Sequence, residues 1–261
     1  MTKIKICGLR RDEDIGIVND YLPDYAGFII DFPASFRSLP HEEVKNLTAK
    51  LDKRILPVGV FVDSPIEIVI ELLKEGVIGA AQLHGSESPE YIMKVQEATG
   101  KPVIKSFVLP KEDASQRQEI QGFSKITASG PVDCSPAAHL SNGAFTQSQE
   151  TQGLQDIEKK SAEDLRWRAE EILKAAAASP ADMILLDAGK GSGQTFNWNL
   201  LSGFSHPYFL AGGISENNIS NAIKTLRPYA VDISSSVETD RFKDRQKVKN
   251  IIEIARKGST K

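Results

Sequence analysis

Residues 56–84 read LPVGVFVDSPIEIVIELLKEGVIGAAQLH, and this stretch decides the fold class. LPVGVFV (56–62) is apolar on both faces, as a strand covered on each side should be. Ser64-Pro65-Ile66-Glu67 then signals a helix start, with Ser64 as capping residue, Pro65 at the first helical position and Glu67 placed to close a capping box. GAAQLH (79–84) returns as a second apolar run. The stretch is one strand–helix unit followed by the next strand.

The same rhythm runs along the whole chain. Further strand candidates are KIKI (3–6), GFII (27–30), PVIKSFV (102–108), MILLD (183–187), YFLAG (208–212) and AVDISS (230–235). Ser88-Pro89 repeats the cap-then-proline start. Ser161 opens SAEDLRWRAEEILKAAAA, with Leu165, Ile172 and Leu173 at helical spacing, and Ser215 precedes ENNISNAIKTL, with Ile219, Ala222, Ile223 and Leu226 on one face. KVKNIIEIARKG closes the chain, with Gly258 placed to end the helix. That makes eight strands, most of them starting roughly 23–30 residues apart, about one βα unit each. An open doubly wound sheet shares the alternation, but the count of eight and the regular spacing favour a closed barrel. No GxGxxG follows the first strand, which removes the commonest dinucleotide-binding version of the open sheet. The chain is therefore expected to be a single α/β domain over residues 1–261, a (β/α)8 TIM barrel.

One interval breaks the rhythm. Strand five to strand six spans about 80 residues, where loops of a few residues are the rule. Residues 109–160 are rich in Gln, Ser, Gly, Glu and Lys, and are expected to be an insertion in the loop after strand five, partly disordered. Loops after strands lie at the catalytic face of a barrel, so a lid is one reading and a tolerated surface excursion the plainer one. Cys134 and His139, in VDCSPAAH within it, lack a third orienting group and read as a chance pairing.

Bulk composition narrows the function. The net charge of −3 is too mild to argue for nucleic acid or an anionic membrane. There is no apolar run of membrane-spanning length and no export signal, and two cysteines in 261 residues suggest a reducing cytoplasm. The four histidines fall into no close metal-ligand spacing, so no metal site is expected.

Barrel active sites form where strands end, so those residues carry the chemistry. Strand one ends in Cys7, strand two leads to Arg37 in FPASFRSL, strand four ends at Gln82 and His84, and strand six at Asp187. Strand seven runs into Gly212-Gly213 and strand eight through Asp232 into Ser234-Ser235-Ser236. Gly-Gly lets backbone approach a ligand and the serines offer hydroxyl and N–H donors, in the two loops where barrels commonly hold phosphate. Strands one and six lie well apart around the ring, so Cys7 and Asp187 face each other across the mouth as a plausible base and acid. A cysteine by itself more often simply packs.

These residues stand in familiar surroundings. KICGL (5–9), GFII…FPASFR (27–37), VGVFV (58–62), QLHG (82–85), LLDAGKGSGQTFNW (185–198), LAGGI (210–214) and VDISSSVE (231–238) together resemble the phosphoribosylanthranilate isomerases of tryptophan biosynthesis. The resemblance covers nearly the whole chain except about 111–180, with the motifs in the family's order. It implies a small-molecule substrate, N-(5-phosphoribosyl)anthranilate, and an Amadori rearrangement that needs no nicotinamide, flavin or metal. It implies that Asp187 is the general acid that protonates the ring oxygen and Cys7 the general base at C2′. Arg37 would hold the anthranilate carboxylate, Gly212, Gly213 and Ser234–Ser236 the phosphate; Asp232 would lie close to the sugar, and His84, in the family's QLHG element, would contribute to substrate binding. The related sugar isomerase of histidine biosynthesis has aspartates in both catalytic roles, and Cys7 argues against it. A non-catalytic phosphosugar binder is the reading from another class. Ser236 departs from the family's SSGVE, and is expected to strain the loop if that position needs positive φ.

Overall fold

The eight expected strands close into a ring. β1 (Lys3–Cys7), β2 (Tyr25–Ile30), β3 (Leu56–Phe61), β4 (Ala80–Leu83), β5 (Val103–Val108), β6 (Met183–Asp187), β7 (Tyr208–Ala211) and β8 (Ala230–Ile233) pair in parallel in chain order, and β8 pairs back onto β1. The register sets Cys7 of β1 opposite Gly27 of β2, and Lys5 of β1 opposite Asp232 of β8. The structure, a computed structural model, describes residues 1–110, 163–188, 198–201 and 203–258.

Alternation along each strand divides its side chains between two environments. Tyr25, Val58, Ala80, Ile104, Leu185, Phe209 and Ala230 pack together inside the ring. Ile4, Ile6, Phe28, Phe61, Leu83, Leu186, Leu210 and Val231 point outward and pack with the helices. With both faces covered, the strands read as near-continuous apolar runs, which is why the sequence shows them so clearly.

Seven helices are described: α1 (Asp12–Tyr21), α2 (His41–Thr48), α3 (Ile66–Lys74), α4 (Pro89–Thr99), α5 (163–177), α6 (Ile219–Leu226) and α7 (Arg245–Gly258). α3 buries Val69, Leu72 and Leu73, each worth about 1.5–3 kcal/mol of apolar transfer. α4 starts as its sequence indicates: the Tyr91 N–H donates to Ser88 Oγ at 3.3 Å, Pro89 occupies the first turn, and Gly100 closes the helix at φ 62°. α7 ends at Gly258.

Two helix starts differ from expectation. At α3 Pro65 is itself the N-cap and no side-chain cap bond forms, so the Ser64–Glu67 capping box is absent. Proline holds φ at −54° there and delays the helix by one residue. At α6 the helix begins only at Ile219, and Ser215 contributes its backbone carbonyl, which accepts from the N–H groups of Asn218 and Ile219. Ser161 lies outside the described residues.

The chain divides into two compact units, Met1–Leu109 with Glu171–Lys261, and Pro110–Glu170. The barrel strands and all the site residues below belong to the first. The insertion expected over 109–160 lies, beyond Pro110, outside the described residues, as do Cys134 and His139. Among the described residues no helix is long and apolar enough to cross a membrane.

Candidate active site

At the C-terminal end of the ring a cleft of about 540 Å³ is lined by Cys7, Arg37, His84, Asp187, Gly212, Gly213, Asp232 and Ser234–Ser236, together with Gln82, Phe36 and several apolar side chains. Every site residue singled out from the sequence therefore lines one cleft, although the strands that carry them lie far apart in the chain.

Cys7 ends β1 with only 7% of its surface exposed. Burial pushes its thiol above the ordinary value, while the Lys5 ammonium pulls the other way. Space for the sulfur comes from Gly27 on the neighbouring strand. A Cβ at that position would stand 2.7 Å from Cys7 Sγ and 3.1 Å from Lys5 Nζ. Lys5 is fully buried and donates to Asp232 Oδ2 at 2.9 Å. Burial alone would lower its pKa, but the Asp232 carboxylate carries the ammonium above its ordinary value.

Across the cleft, His84 Nε2 lies 3.5 Å from Asp187 Oδ2. That carboxyl raises the His84 pKa against the opposing effect of burial. The turn following His84 is held by a buried pair. Lys105 Nζ donates to Gly85 O and to Glu87 Oε2, both at 2.7 Å, and Glu87 in turn accepts from the Gly85 and Asp63 N–H groups.

Arg37 enters from the loop after β2, with its stem crossing Gly8, where a Cβ would stand 2.6 Å from Arg37 Cδ. Gly8 has φ 81° besides, so two constraints require glycine there. The guanidinium stacks on the Phe36 ring at 4.1 Å. Its Nε and Nη2 donate to Glu238 at 2.8 and 2.6 Å, and Lys243 Nζ donates to the same carboxylate at 2.8 Å. Burial by itself would raise the Glu238 pKa, but the hydrogen bonds and charges of Arg37 and Lys243 outweigh it and hold the carboxyl below the usual range.

On the far rim Gly212 and Gly213 take φ 84° and 68°, which an L side chain rarely adopts. Asn218 braces that turn by donating to Gly213 O and accepting from the Ser215 N–H, each at 2.8 Å. The Ser234 hydroxyl donates to the Cys7 carbonyl at 3.1 Å, and the Ser234 carbonyl accepts from Lys243 Nζ at 3.0 Å. Ser236 lies in a short 3-10 turn (Ser235–Val237) and is not among the residues of positive φ. The strain expected of a serine at that position is therefore absent, because the turn there winds with negative φ.

Three buried polar atoms, Gln82 Oε1, Asp232 Oδ1 and Ser236 Oγ, have no hydrogen-bond partner among the described residues, and all three belong to residues lining the cleft. Buried polar groups are nearly always satisfied, so a concentration of exceptions at one cleft marks a place made for a polar ligand.

The family model described as N-(5'phosphoribosyl)anthranilate (PRA) isomerase matches residues 4–128 and 148–254. The chain belongs to this family. Among curated relatives, the N-(5'-phosphoribosyl)anthranilate isomerase of Endomicrobium trichonymphae is 32% identical over 98% of this chain and 99% of its own length. That of Clostridium acetobutylicum is 34% identical, again over 98% and 99%. Among solved structures, phosphoribosyl anthranilate isomerase from Thermotoga maritima matches with a TM-score of 0.68 at 25% identity, covering 98% of this chain and 100% of that one.

Several participants escaped the sequence reading. Lys5 and Gly27 left a trace in KIKIC and YAGFII, since period-two alternation places Lys5 on the face of Cys7. Glu238 and Lys243 were not picked out as site residues, because Glu238 acts on Arg37, brought to it from 201 positions away, and Lys243 acts through Glu238, its neighbour across a short hairpin.

Proposed function

We propose that this cleft isomerises N-(5'-phosphoribosyl)anthranilate to 1-(2-carboxyphenylamino)-1-deoxyribulose 5-phosphate, a step of tryptophan biosynthesis. Family membership supports the reaction. The observation that carries the assignment to particular groups is that the thiol ending β1 and the carboxyl ending β6 line the same cleft.

The reaction moves protons with no net redox change. Asp187 gives a proton to the furanose ring oxygen as the C1′–O bond breaks and the nitrogen lone pair forms the Schiff base. Cys7, as thiolate, takes the C2′ proton, and the electron pair moves into the enolamine. Reprotonation at C1′ and loss of the hydroxyl proton give the ketone. His84, beside Asp187, supplies a second protonatable group next to the acid. Asp232 Oδ1 and Gln82 Oε1 are acceptors suited to sugar hydroxyls. Arg37, held by Glu238 through Nε and Nη2, keeps its remaining N–H groups for the anthranilate carboxylate. Gly212, Gly213 and the Ser234–Ser236 turn offer backbone N–H groups, and Ser236 a hydroxyl, to the phosphate.

The test is substrate disappearance followed by anthranilate fluorescence with purified protein. The parent should turn over, while Cys7→Ser and Asp187→Asn should each lose about 10²–10⁴-fold, the usual contribution of a general acid or base, with unchanged circular dichroism. No turnover by the parent, or near-parent rates in both variants, would overturn the assignment.

A further inference from the structure

Inside the ring, at the floor of the cleft, lies an ion pair whose ammonium, that of Lys5, the proposed chemistry leaves unused. Lys5 stands two residues before Cys7 on β1, so both side chains take the inward face. Its ammonium has no exposed surface and is bonded to Asp232 Oδ2. Gly27 shows how near the thiol is. The point where its Cβ would stand lies 3.1 Å from Lys5 Nζ and 2.7 Å from Cys7 Sγ, so nitrogen and sulfur are no farther apart than those two lengths end to end. Where both groups are buried, a unit charge at that range acts strongly on an ionising thiol.

We propose that Lys5 is a positioning residue of the isomerase site, whose buried ammonium stabilises the thiolate of Cys7 from beneath the cleft. The inference rests on the reading of Cys7 as the general base. Lys5 cannot touch substrate, since none of its surface is exposed; it acts through the sulfur. The other charges around Cys7 do not replace it. Asp232 opposes ionisation of the thiol, and Lys243 favours it more weakly than Lys5 does. Lys243 and Arg37 share the Glu238 carboxylate, and His84 faces Asp187. Lys5 is thus the main counterweight to the burial that disfavours the thiolate. A buried ion pair is weak evidence for stability, because apolar side chains of similar volume often serve a core equally well.

The test reads thiol ionisation rather than turnover. In a Cys134→Ser background, Cys7 is the only cysteine. Its iodoacetamide alkylation rate is followed by intact mass between about pH 6 and pH 11, a range that brackets cysteine titration. Lys5→Met should raise the apparent pKa by about one unit or more, slowing alkylation at neutral pH about tenfold. Lys5→Arg should stay near the parent, and Asp232→Asn should move in the opposite direction. An unchanged Cys7 titration in folded Lys5→Met would overturn the proposal. Should that variant fail to fold, Lys5→Met is compared with lysine in the Asp232→Asn background, where no carboxylate is stranded. A higher Cys7 pKa in the double variant supports the role, and equal values overturn it. Alkylation does not require the isomerase reaction, so a failure of the functional reading shows separately, as absent turnover.

Discussion

Arg37 donates Nε and Nη2 to the two carboxylate oxygens of Glu238, a residue 201 positions away, and Lys243 shares that carboxylate. The geometry is a fork on a planar acceptor, which fixes the guanidinium in orientation as well as position. Glu238→Gln keeps the shape but weakens the hold. It should raise KM for the substrate about tenfold, equivalent to about 1.4 kcal/mol, with kcat changed much less. Steady-state fluorescence kinetics decide, and a fall in kcat with constant KM would contradict the positioning role. Glu238→Ala strands the buried Lys243 ammonium and frees the partly exposed Arg37, and should lower stability by about 3 kcal/mol in urea denaturation.

The same carboxylate predicts a pH dependence. The Glu238 pKa is held below its ordinary 4.5 in the folded protein. The folded state therefore binds the proton less readily than the unfolded chain. Its stabilisation is fully present above about pH 4.5 and is lost as pH falls through the folded value. Melting temperatures of the parent should drop below about pH 4.5. Glu238→Gln should lack that part of the drop. Parallel curves would remove Glu238 as the cause.

Gly27 supplies the room in which Cys7 and Lys5 meet. Gly27→Ala would place a methyl 2.7 Å from Cys7 Sγ and 3.1 Å from the Cys7 Cα, and the backbone atom cannot swing away. A displaced base should cost about 10²-fold in kcat, and overpacking about 1–3 kcal/mol. Turnover and urea midpoints measure both. A parent-like kcat would show that the thiol has slack.

Ser236 Oγ is buried at the rim with no partner among the described residues. Ser236→Gly should weaken inhibition by inorganic phosphate about 10-fold or more, the loss of one hydrogen bond to a charged group. Equal inhibition constants would place the hydroxyl outside the phosphate contacts.

The barrel was legible because strands buried on both faces carry an unbroken apolar signal, and MILLD and PVIKSFV announce themselves without context. Helix starts were less so. Ser64-Pro65 resembles Ser88-Pro89 in sequence, yet only Ser88 caps with its side chain, because the proline falls at a different position relative to the first turn. At the site, residues at strand ends could be found by counting along the chain. Their supports were harder to find: Glu238 acquires meaning only beside Arg37, and Lys5 only where the closed ring sets it against Asp232.

Lys5 and Asp232 stand directly opposite each other where the first strand meets the last, 227 positions apart. The full local field around Cys7 is therefore absent from any piece of the chain that ends before β8. A polypeptide still emerging from the ribosome, with β8 not yet made, carries Cys7 as an ordinary thiol. Chemical competence arrives with the final zipper of the ring, so the reactivity of Cys7 doubles as a clock for completed folding.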